Sequence, residues 1–352
     1  MHLRIALLGY GNVGRALVAM LAEKADALRD RHHVTIGIVG IMTRSDGGWL
    51  SVEGFSPAAV IASGWPATHL PEGARAFDGD TLAFARTAPS NVLVELTTLN
   101  PMTGQPALDY VRAALTAGKS VVTANKGPIA HAYRHLRVLA EDNSVSLRFE
   151  STVMDGTPIF NMAAASLPAT TITGIRGLLN STSNYVLSRM ALGDSLDEAI
   201  IGAQRLGIAE ANPANDLEGW DAAVKSAVLA NVLMDADLRP ADVRRDGLGA
   251  EAMCQAHSAL LPGQRLKQIA VLTRVEGMVG ANVVLAPLGP DDLLAHLSGM
   301  EAGLILSTDT MGDLTIIEGE GGPRQTAHGV MADLVAVAAT LSGSRPSGTD
   351  RQ

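Results

Sequence analysis

The feature that most constrains the fold is a glycine-rich turn between a buried strand and a helix. Leu3 to Leu8 is an almost continuous apolar run, typical of strands inside parallel sheets, and Arg15 to Leu28 is patterned as a helix. Between them, G-x-G-x-x-G predicts a Rossmann-type dinucleotide site at the helix N-terminus. The predicted contacts are Gly9, Gly11, Asn12, Val13 and Gly14. The alternative is a turn with a purely structural role.

The end of the second predicted strand, Val34 to Met42, indicates which dinucleotide is preferred. An acid at this position bonds the ribose hydroxyls of NAD, whereas an arginine suits the 2′-phosphate of NADP. The chain continues with Thr43 and Arg44, without an acid at the strand tip. The sequence therefore predicts that Arg44 favours NADP(H). NAD(H) stays open because Asp46 is close, and Arg44 could also be an ordinary solvated arginine.

Two further strands are predicted before residue 150, at 91–98 and 120–123, with helices at 107–117 and about 129–141 and a closing strand at 145–149. Residues after the carboxyl ends of parallel strands line the ligand crevice of such sheets. Thr97, Thr98 and Lys126 are therefore expected near the cofactor. A loop lysine in water is the alternative for Lys126.

After residue 150 the simple alternation of strand and helix ends. A strand at 171–179, helices at 183–191 and 196–205, and four strands between 267 and 318 predict a mixed domain. A final amphipathic helix, about 326–341, is expected to pack on the first domain. The predicted fold is α/β: a Rossmann-type domain (1–150, completed by about 319–341), a mixed α+β domain (151–318) and a polar tail (342–352).

The stretch from Leu206 to Ser226 holds the densest set of charged side chains. Asn215 or Asp216 is a plausible N-cap of its helix, with Glu218 in the first turn. Asp221 and Lys225 are four residues apart, so they share one face of the helix. Alanines and valines around Lys225 would lower its pKa and let it exchange a proton near neutral pH. The alternative is a solvent-facing ion pair.

Composition excludes several classes of protein. A formal net charge of −9 and 3% aromatic residues argue against nucleic-acid binding. The single cysteine, Cys254, excludes an internal disulfide framework and suits a reducing compartment. Neither a signal peptide nor a membrane span is visible, so a cytoplasmic protein is expected.

Several motifs, taken in order, resemble homoserine dehydrogenases: GYGNVG, TANK, ESTVMDGTPIF, LLNSTSNYVLSRM, AQRLGIAEANPANDLEGWDAAVK and the late glycine turn. The resemblance spans essentially the whole chain. It implies NAD(P)H-linked interconversion of L-aspartate 4-semialdehyde and L-homoserine. It also implies a homodimer built on the sheet of the second domain.

The resemblance assigns roles residue by residue. Lys225 would exchange the proton with the substrate oxygen, Lys126 would polarise that oxygen or shuttle the proton, and Asp221 would orient Lys225. Glu210 would hold the substrate ammonium, and Asp216 is a nearby acid. The remaining assignments are substrate contacts at Ser181 and Thr182, a cofactor contact at Gly322, and a Na⁺ or other monovalent-cation site formed by Glu150 and the carbonyls of Val153, Asp155 and Thr157.

The chain departs from the family pattern in places. Ser181 stands where glycine is usual, Asn212 stands where aspartate is usual, and the late turn EGEGGP carries two acids. These departures leave open a related NADP-dependent dehydrogenase for another amino or hydroxy acid. A catalytically inactive dinucleotide sensor is a third reading, against which both lysines and Asp221 argue. No regulatory domain is expected after Leu341 and no kinase domain before Met1, so little feedback by threonine is expected.

Overall fold

Two sheets organise the chain, one in each of two structural units. The computed structural model describes residues 1–66, 69–249, 251–260, 263–319 and 321–343. One unit comprises Met1–Pro158 together with the described residues from Gly322 onward, and the other comprises Ile159–Gly321. The first unit thus includes residues 151–158, which the sequence analysis assigned to the second domain. Most of the proposed polar tail, 344–352, lies outside the described residues.

The sheet of the first unit has seven strands in the order β4-β3-β2-β1-β5-β6-β7. They are β1 (His2–Leu8), β2 (Thr35–Met42), β3 (Gly48–Phe55), β4 (Arg75–Ala76), β5 (Val92–Glu95), β6 (Ser120–Thr123) and β7 (Leu147–Arg148). Five strands run parallel, as predicted, and β3 and β4 add an antiparallel extension that the sequence analysis missed. The fold class of this unit is therefore the predicted Rossmann type.

Among its described residues, the first unit has six helices before the second unit begins. They are α1 (Asn12–Glu23), α2 (Ala25–His32), α3 (Pro57–Ser63), α4 (Thr81–Thr87), α5 (Ala107–Thr116) and α6 (Lys126–Asp142). The single helix predicted for Arg15 to Leu28 is wrong. The helical run breaks at Lys24, which ends α1 and precedes α2, and α1 already begins at Asn12.

The central strand β1 is buried on both faces. Leu3, Ile5 and Leu7 belong to one apolar cluster, while Ala6 and Leu8 belong to another. Successive side chains of a strand point to opposite faces, so the two clusters lie on opposite faces of the sheet. This explains why the sequence of β1 is almost continuously apolar instead of alternating.

The second unit has a mixed six-stranded sheet in the order β13-β12-β8-β10-β11-β9, in which, for the residues that the structure describes, only β9 and β11 pair in parallel. Its strands are β8 (Ile172–Leu178), β9 (Arg244–Arg245), β10 (Arg265–Val275), β11 (Met278–Leu288), β12 (Ala302–Thr308) and β13 (Gly312–Glu318). Its helices are α7 (Phe160–Ser166), α8 (Ser181–Ala191), α9 (Leu196–Arg205), α10 (Ala214–Leu217), α11 (Trp220–Leu233) and α12 (Ala252–Leu260). The predicted mixed architecture is confirmed.

The last helix, α13 (Pro323–Leu341), belongs to the first unit. Its buried residues Val330, Leu334 and Val337 join the apolar cluster that contains Leu3 and Leu7. The core of this unit is therefore built from both ends of the chain. Across the described residues, no helix has the length and apolar character needed to cross a bilayer.

Candidate active site

The glycine turn after β1 has the geometry of a phosphate cradle. Gly9 has φ +95°, and a Cβ there would lie 2.6 Å from the carbonyl oxygen of Leu96. A Cβ on Gly14 would lie 2.8 Å from the carbonyl oxygen of Gly9, whereas one on Gly11 would meet no atom within 4 Å. The turn is therefore packed tightly at its first and third glycines and open at the second. Asn12 and Val13 begin α1, where the first backbone N–H groups have no partner within the helix. The residues fit a pyrophosphate.

The tip of β2 lies directly beside this turn, because the Gly9 amide donates to the Met42 carbonyl at 2.9 Å. Arg44 is exposed on the short loop that follows. The Asp46 carboxylate in the same loop accepts hydrogen bonds from Ser45 Oγ at 2.7 Å and Thr43 Oγ1 at 3.2 Å. The loop thus presents an exposed guanidinium, and the neighbouring hydroxyls engage the nearby acid.

A buried carboxylate joins the ends of β5 and β6. Glu95, fully buried, accepts from the Thr97 amide at 2.7 Å, from the Thr97 hydroxyl at 2.5 Å and from Thr123 Oγ1 at 2.7 Å. Burial raises the pKa of this carboxyl. Asn125 donates to the Thr97 carbonyl at 3.2 Å and caps α6 by accepting from the Gly127 amide. The network fixes the chain around Thr97 and the N-terminal end of α6, which begins at Lys126.

Thr97 and Lys126 were among the site residues predicted from the sequence, whereas Glu95 was not. The signal available was a lone acid at the end of the buried run NVLVE. Lys126 is half-buried and is the first residue of α6, not a loop residue, whereas Thr98 is exposed. A lysine in the first turn of a helix, at the carboxyl end of a parallel sheet, lies where such sheets bind their ligands.

In the second unit, Asp221 and Lys225 form a largely buried pair on α11. Lys225 Nζ lies 3.0 Å from Asp221 Oδ2, and the two side chains are 16% and 14% exposed. The same ammonium donates to the carbonyl oxygen of Leu179 at 2.6 Å. The solvent-facing ion pair, which was the alternative interpretation, is therefore excluded by the burial of both side chains.

The predicted start of this helix is wrong. Asn215 and Asp216 lie inside the separate short helix α10, and Glu218 ends it. Gly219, with φ +77°, is the N-cap of α11. The left-handed backbone at Gly219 breaks the helical run, and glycine adopts that conformation without the steric cost other residues meet. Asp221, not Glu218, occupies the first turn of α11.

Asn180 connects the acids of this region. Its Nδ2 donates to Asp216 Oδ1 at 2.7 Å and to Asp221 Oδ2 at 3.1 Å. Burial and the charge of Asp221 raise the pKa of Asp216, while hydrogen bonds from Asn180 and Thr182 oppose this shift. The structure thus brings together Asp216, Asp221, Lys225 and Thr182, and it adds Asn180, which was not among the predicted site residues.

Two other predicted substrate contacts lie differently. Ser181 is half-buried and begins α8, directly after Asn180. Glu210 is exposed, and within the described residues its carboxylate makes no hydrogen bond or ion pair with the cluster around Asn180. Its backbone carbonyl accepts from Gln204 at 3.1 Å. Its carboxylate is therefore accessible to a solvent-borne group.

The predicted cation ligands lie in a tight turn of the first unit. Glu150 is buried, and Met154 and Asp155 have φ values of +51° and +48°. Asp155 Oδ1 accepts from Thr326 Oγ1 at 3.1 Å, and the Glu150 amide donates to Asp333 at 2.8 Å. A buried carboxylate beside turned backbone offers the hard oxygen donors that Na⁺ prefers. Among the described residues there is no cluster of three or more His, Cys, Asp or Glu side chains suited to a metal.

Comparison with known proteins decides the family. The family model "Homoserine dehydrogenase" matches residues 158–335, and "Homoserine dehydrogenase, NAD binding domain" matches residues 9–150. The NAD(+)-dependent homoserine dehydrogenase of Pseudomonas canavaninivorans is 35% identical over 338 residues, which are 95% of this chain and 96% of that protein. The chain belongs to the homoserine dehydrogenase family.

Solved structures of the family agree with the fold. A homoserine dehydrogenase from Thiobacillus denitrificans has a TM-score of 0.83 at 26% identity, covering 97% of this chain and 74% of its own. A hyperthermophilic archaeal homoserine dehydrogenase in complex with NADPH has a TM-score of 0.79 at 27% identity, covering 96% and 98%. The resemblance and the fold class predicted from the sequence are confirmed, and the family is one of NAD(P)-dependent oxidoreductases.

Proposed function

We propose that the protein interconverts L-aspartate 4-semialdehyde and L-homoserine with a nicotinamide dinucleotide. The observation that carries the proposal is the largely buried Lys225–Asp221 pair on α11, in a chain of the homoserine dehydrogenase family. Ammonium groups stabilise the negative charge that develops on an aldehyde oxygen during reduction. An idle dinucleotide-binding homologue would have no need to bury this pair.

The proposed chemistry assigns each group a task. When bound, the nicotinamide supplies the hydride that adds to the aldehyde carbon. Lys225 Nζ donates a proton to the carbonyl oxygen, whose π electrons become the new O–H bond, and in the reverse direction Nζ accepts that proton. The Leu179 carbonyl and Asp221 hold the ammonium at 2.6 Å and 3.0 Å. Lys126 is proposed, from the family resemblance, as the second lysine that polarises the oxygen or shuttles the proton.

Recognition of an amino acid requires an anion for its ammonium group. We assign this role to Glu210, whose exposed carboxylate makes no ion pair among the described residues. Asp216 lies with the Asn180 cluster and would add negative charge nearby. Ser181 and Thr182, at the start of α8, are proposed to lie along the substrate.

The first test follows NADPH absorbance with L-homoserine and NADP⁺. Lys225→Met is expected to lower kcat by about 10²–10⁴-fold, because the group that accepts the substrate's hydroxyl proton in this direction is lost. Lys24→Met, at a lysine that is 46% exposed in the first unit, is the matched control and should leave kcat unchanged. NADPH binding by both variants verifies folding. Wild-type rates in Lys225→Met would remove the proposed proton transfer.

A second candidate function rests on Ser181 and Asn212, which depart from the family pattern. Ser181 adds a side chain beside Asn180, and Asn212 instead caps the turn before α10 by accepting from the Ala214 amide at 3.2 Å. A related substrate, another amino or hydroxy acid, would then be preferred. A substrate panel at fixed NADP⁺ separates the two candidates by their kcat/KM ratios.

NADP(H) is the proposed cofactor, with Arg44 as the contact to its 2′-phosphate. The exposed guanidinium follows the strand tip that is bonded to Gly9, which supports this choice. Among relatives, one is described as NAD(+)-dependent and another was solved with NADPH. Arg44→Ala should weaken NADPH binding while leaving the Kd of NADH almost unchanged. Tighter binding of NADH than of NADPH by the wild type would refute the preference.

Two further assignments come from the family resemblance. A monovalent cation is proposed at Glu150 with the carbonyls of Val153, Asp155 and Thr157, and activity in NaCl against choline chloride tests it. A homodimer is proposed through the sheet of the second unit. The edge strand β13 supports it, since Ile317 is 51% exposed there. Ile317→Lys should shift the mass measured in solution toward the monomer.

A further inference from the structure

Asn180 uses its whole side-chain amide inside the second unit. It is 6% exposed and stands between the end of β8 and the start of α8. Its Oδ1 caps α8 by accepting from the Ser183 amide at 2.8 Å, and its Nδ2 donates to Asp216 and Asp221. An amide NH₂ has two hydrogens, so one donor group serves two carboxylates at once.

The two carboxylates would otherwise repel each other. Burial and the charge of Asp221 raise the pKa of Asp216, and the Asn180 hydrogen bond acts against that shift. The charged groups acting on Asp216 are Asp221 and Lys225, both from α11. A donor placed between two acids favours the state in which both are ionised.

Asn180 and its neighbour also constrain Lys225. Asp221 Oδ2 accepts a hydrogen bond from the Asn180 amide and also forms the ion pair with the Lys225 ammonium. The carbonyl of Leu179, the residue before Asn180, accepts from the same ammonium at 2.6 Å. The segment that follows β8 therefore restrains the ammonium directly, through the Leu179 carbonyl, and indirectly, through the hydrogen bond from Asn180 to Asp221.

We propose that Asn180 is a positioning residue: it keeps Asp216 and Asp221 ionised together and aims Asp221 at Lys225. The part that concerns catalysis rests on the proposed function. The helix cap alone does not require asparagine, because serine or aspartate also caps well. Only the NH₂ group provides the two donors, so variants can separate the structural cap from the positioning role.

Two variants make this separation. Asn180→Ser keeps a cap but is too short, with a single hydroxyl donor, to serve both acids. Asn180→Asp is isosteric and keeps the cap, but it replaces the donor by a third acceptor. Asn143→Ser is the control, because Asn143 is a half-buried asparagine whose side chain, among the described residues, donates only to the Leu139 carbonyl.

The direct test is a ¹³C titration of aspartate carboxyl groups in the intact protein, with Asp216→Asn to assign the signal. The pKa of Asp216 should rise by about one pH unit in Asn180→Ser, more in Asn180→Asp, and not in Asn143→Ser. Unchanged titration of Asp216 in both Asn180 variants would overturn the proposal. If Asn180→Asp does not fold, Asn180→Ser decides alone.

Kinetics provide the second readout. The acidic limb of the pH profile of kcat/KM for L-homoserine should move to higher pH in both variants, and kcat should fall about tenfold at neutral pH. A purely structural role would lower Tm without moving the limb. A wild type without activity on L-homoserine would remove the proposed function, but the carboxyl titration would still decide whether Asn180 controls Asp216.

Discussion

At the residue scale, the three glycines of the first turn meet different demands. Gly14 packs against the Gly9 carbonyl, where a Cβ would lie 2.8 Å from the oxygen, whereas a Cβ on Gly11 would meet nothing. Gly14→Ala should therefore destabilise the fold by about 1–3 kcal/mol. Gly11→Ala should leave Tm near the wild-type value but raise the Kd of NADPH at least about tenfold, because its methyl group fills the space for the pyrophosphate.

Thermal unfolding without cofactor and NADPH titration by fluorescence measure the two effects separately. The prediction requires that Gly14→Ala has the lower Tm of the two variants and that Gly11→Ala has the weaker NADPH binding. If Gly11→Ala bound NADPH as the wild type does, the turn would not cradle the pyrophosphate. Gly11 would then have only the structural role that was the alternative at the start.

Pairs close in sequence were predictable, and pairs distant in sequence were not. Asp221 and Lys225 share a helical turn, so the spacing alone placed them together. Asn180 lies 36 residues before Asp216 and 41 before Asp221, and Glu95 lies 28 residues before Thr123. Contacts between residues so far apart in the sequence cannot be predicted from a local periodicity. They depend on which strand ends and helices the fold brings together.

At the scale of elements, a buried lysine joins α4 to the strand β6. Lys119 is 6% exposed, and its ammonium donates to the carbonyls of Ala85 and Ala88 at 2.9 and 2.7 Å. These carbonyls lie at the C-terminal end of α4, where backbone acceptors lack helical partners. Burial lowers the pKa of Lys119 from 10.5 to about 8.

This shift predicts a pH-dependent stability. Between about pH 8 and 10.5 the unfolded chain keeps a proton that folded Lys119 has lost, so the free energy of unfolding rises with pH. The free energy of unfolding of Lys119→Met should rise less over this window. Because one proton is involved, the slopes of wild type and variant can differ by at most about 1.4 kcal/mol per pH unit. Lys267, whose pKa burial also lowers to about 8, titrates equally in both proteins. Urea unfolding at several pH values measures the slopes.

The exposed Lys24 is the control, and Lys24→Met should run parallel to the wild type. Parallel curves for wild type and Lys119→Met would mean that folding does not perturb Lys119. The prediction concerns the slope only. The variant also leaves two carbonyls without their donor, which lowers stability at every pH.

Elements with a strong pattern were located well from the sequence. The buried strands are uninterrupted apolar runs, and β6 was predicted with its observed bounds. The break at Lys24 and the N-cap at Gly219 were missed, because each depends on the backbone conformation at one residue inside a helix-like sequence. The hairpin strand β3 was also missed. It follows β2 after only a short loop, and only two of its eight residues, Trp49 and Ser51, are buried.

At the scale of the whole molecule, the first unit is completed by α13. The helix meets the turn at residues 150–156 through two glycines. A Cβ on Gly156 would lie 2.1 Å from the Gln325 carbonyl oxygen, and one on Gly329 would lie 2.3 Å from Ser151 Oγ and 2.8 Å from the Gly156 Cα. A glycine within a helix lowers its intrinsic stability by about 1 kcal/mol relative to alanine. The close approach of α13 to the turn explains why glycine stands at position 329 within this helix.

Gly329→Ala should gain helix propensity but also introduce a steric clash with the turn, and the clash should have the larger effect. Because backbone faces the new methyl group, overpacking should cost about 1–3 kcal/mol, more than the gain in helix propensity. Leu334→Ala, which leaves a cavity in the core shared with β1, should cost about 2–5 kcal/mol. Thr340→Ala, at an exposed position of the same helix, should be neutral or slightly stabilising. Urea unfolding of the full chain ranks the three. A stabilised Gly329→Ala would show that the helix can withdraw from the turn, and the predicted cation ligands would then lack a fixed support.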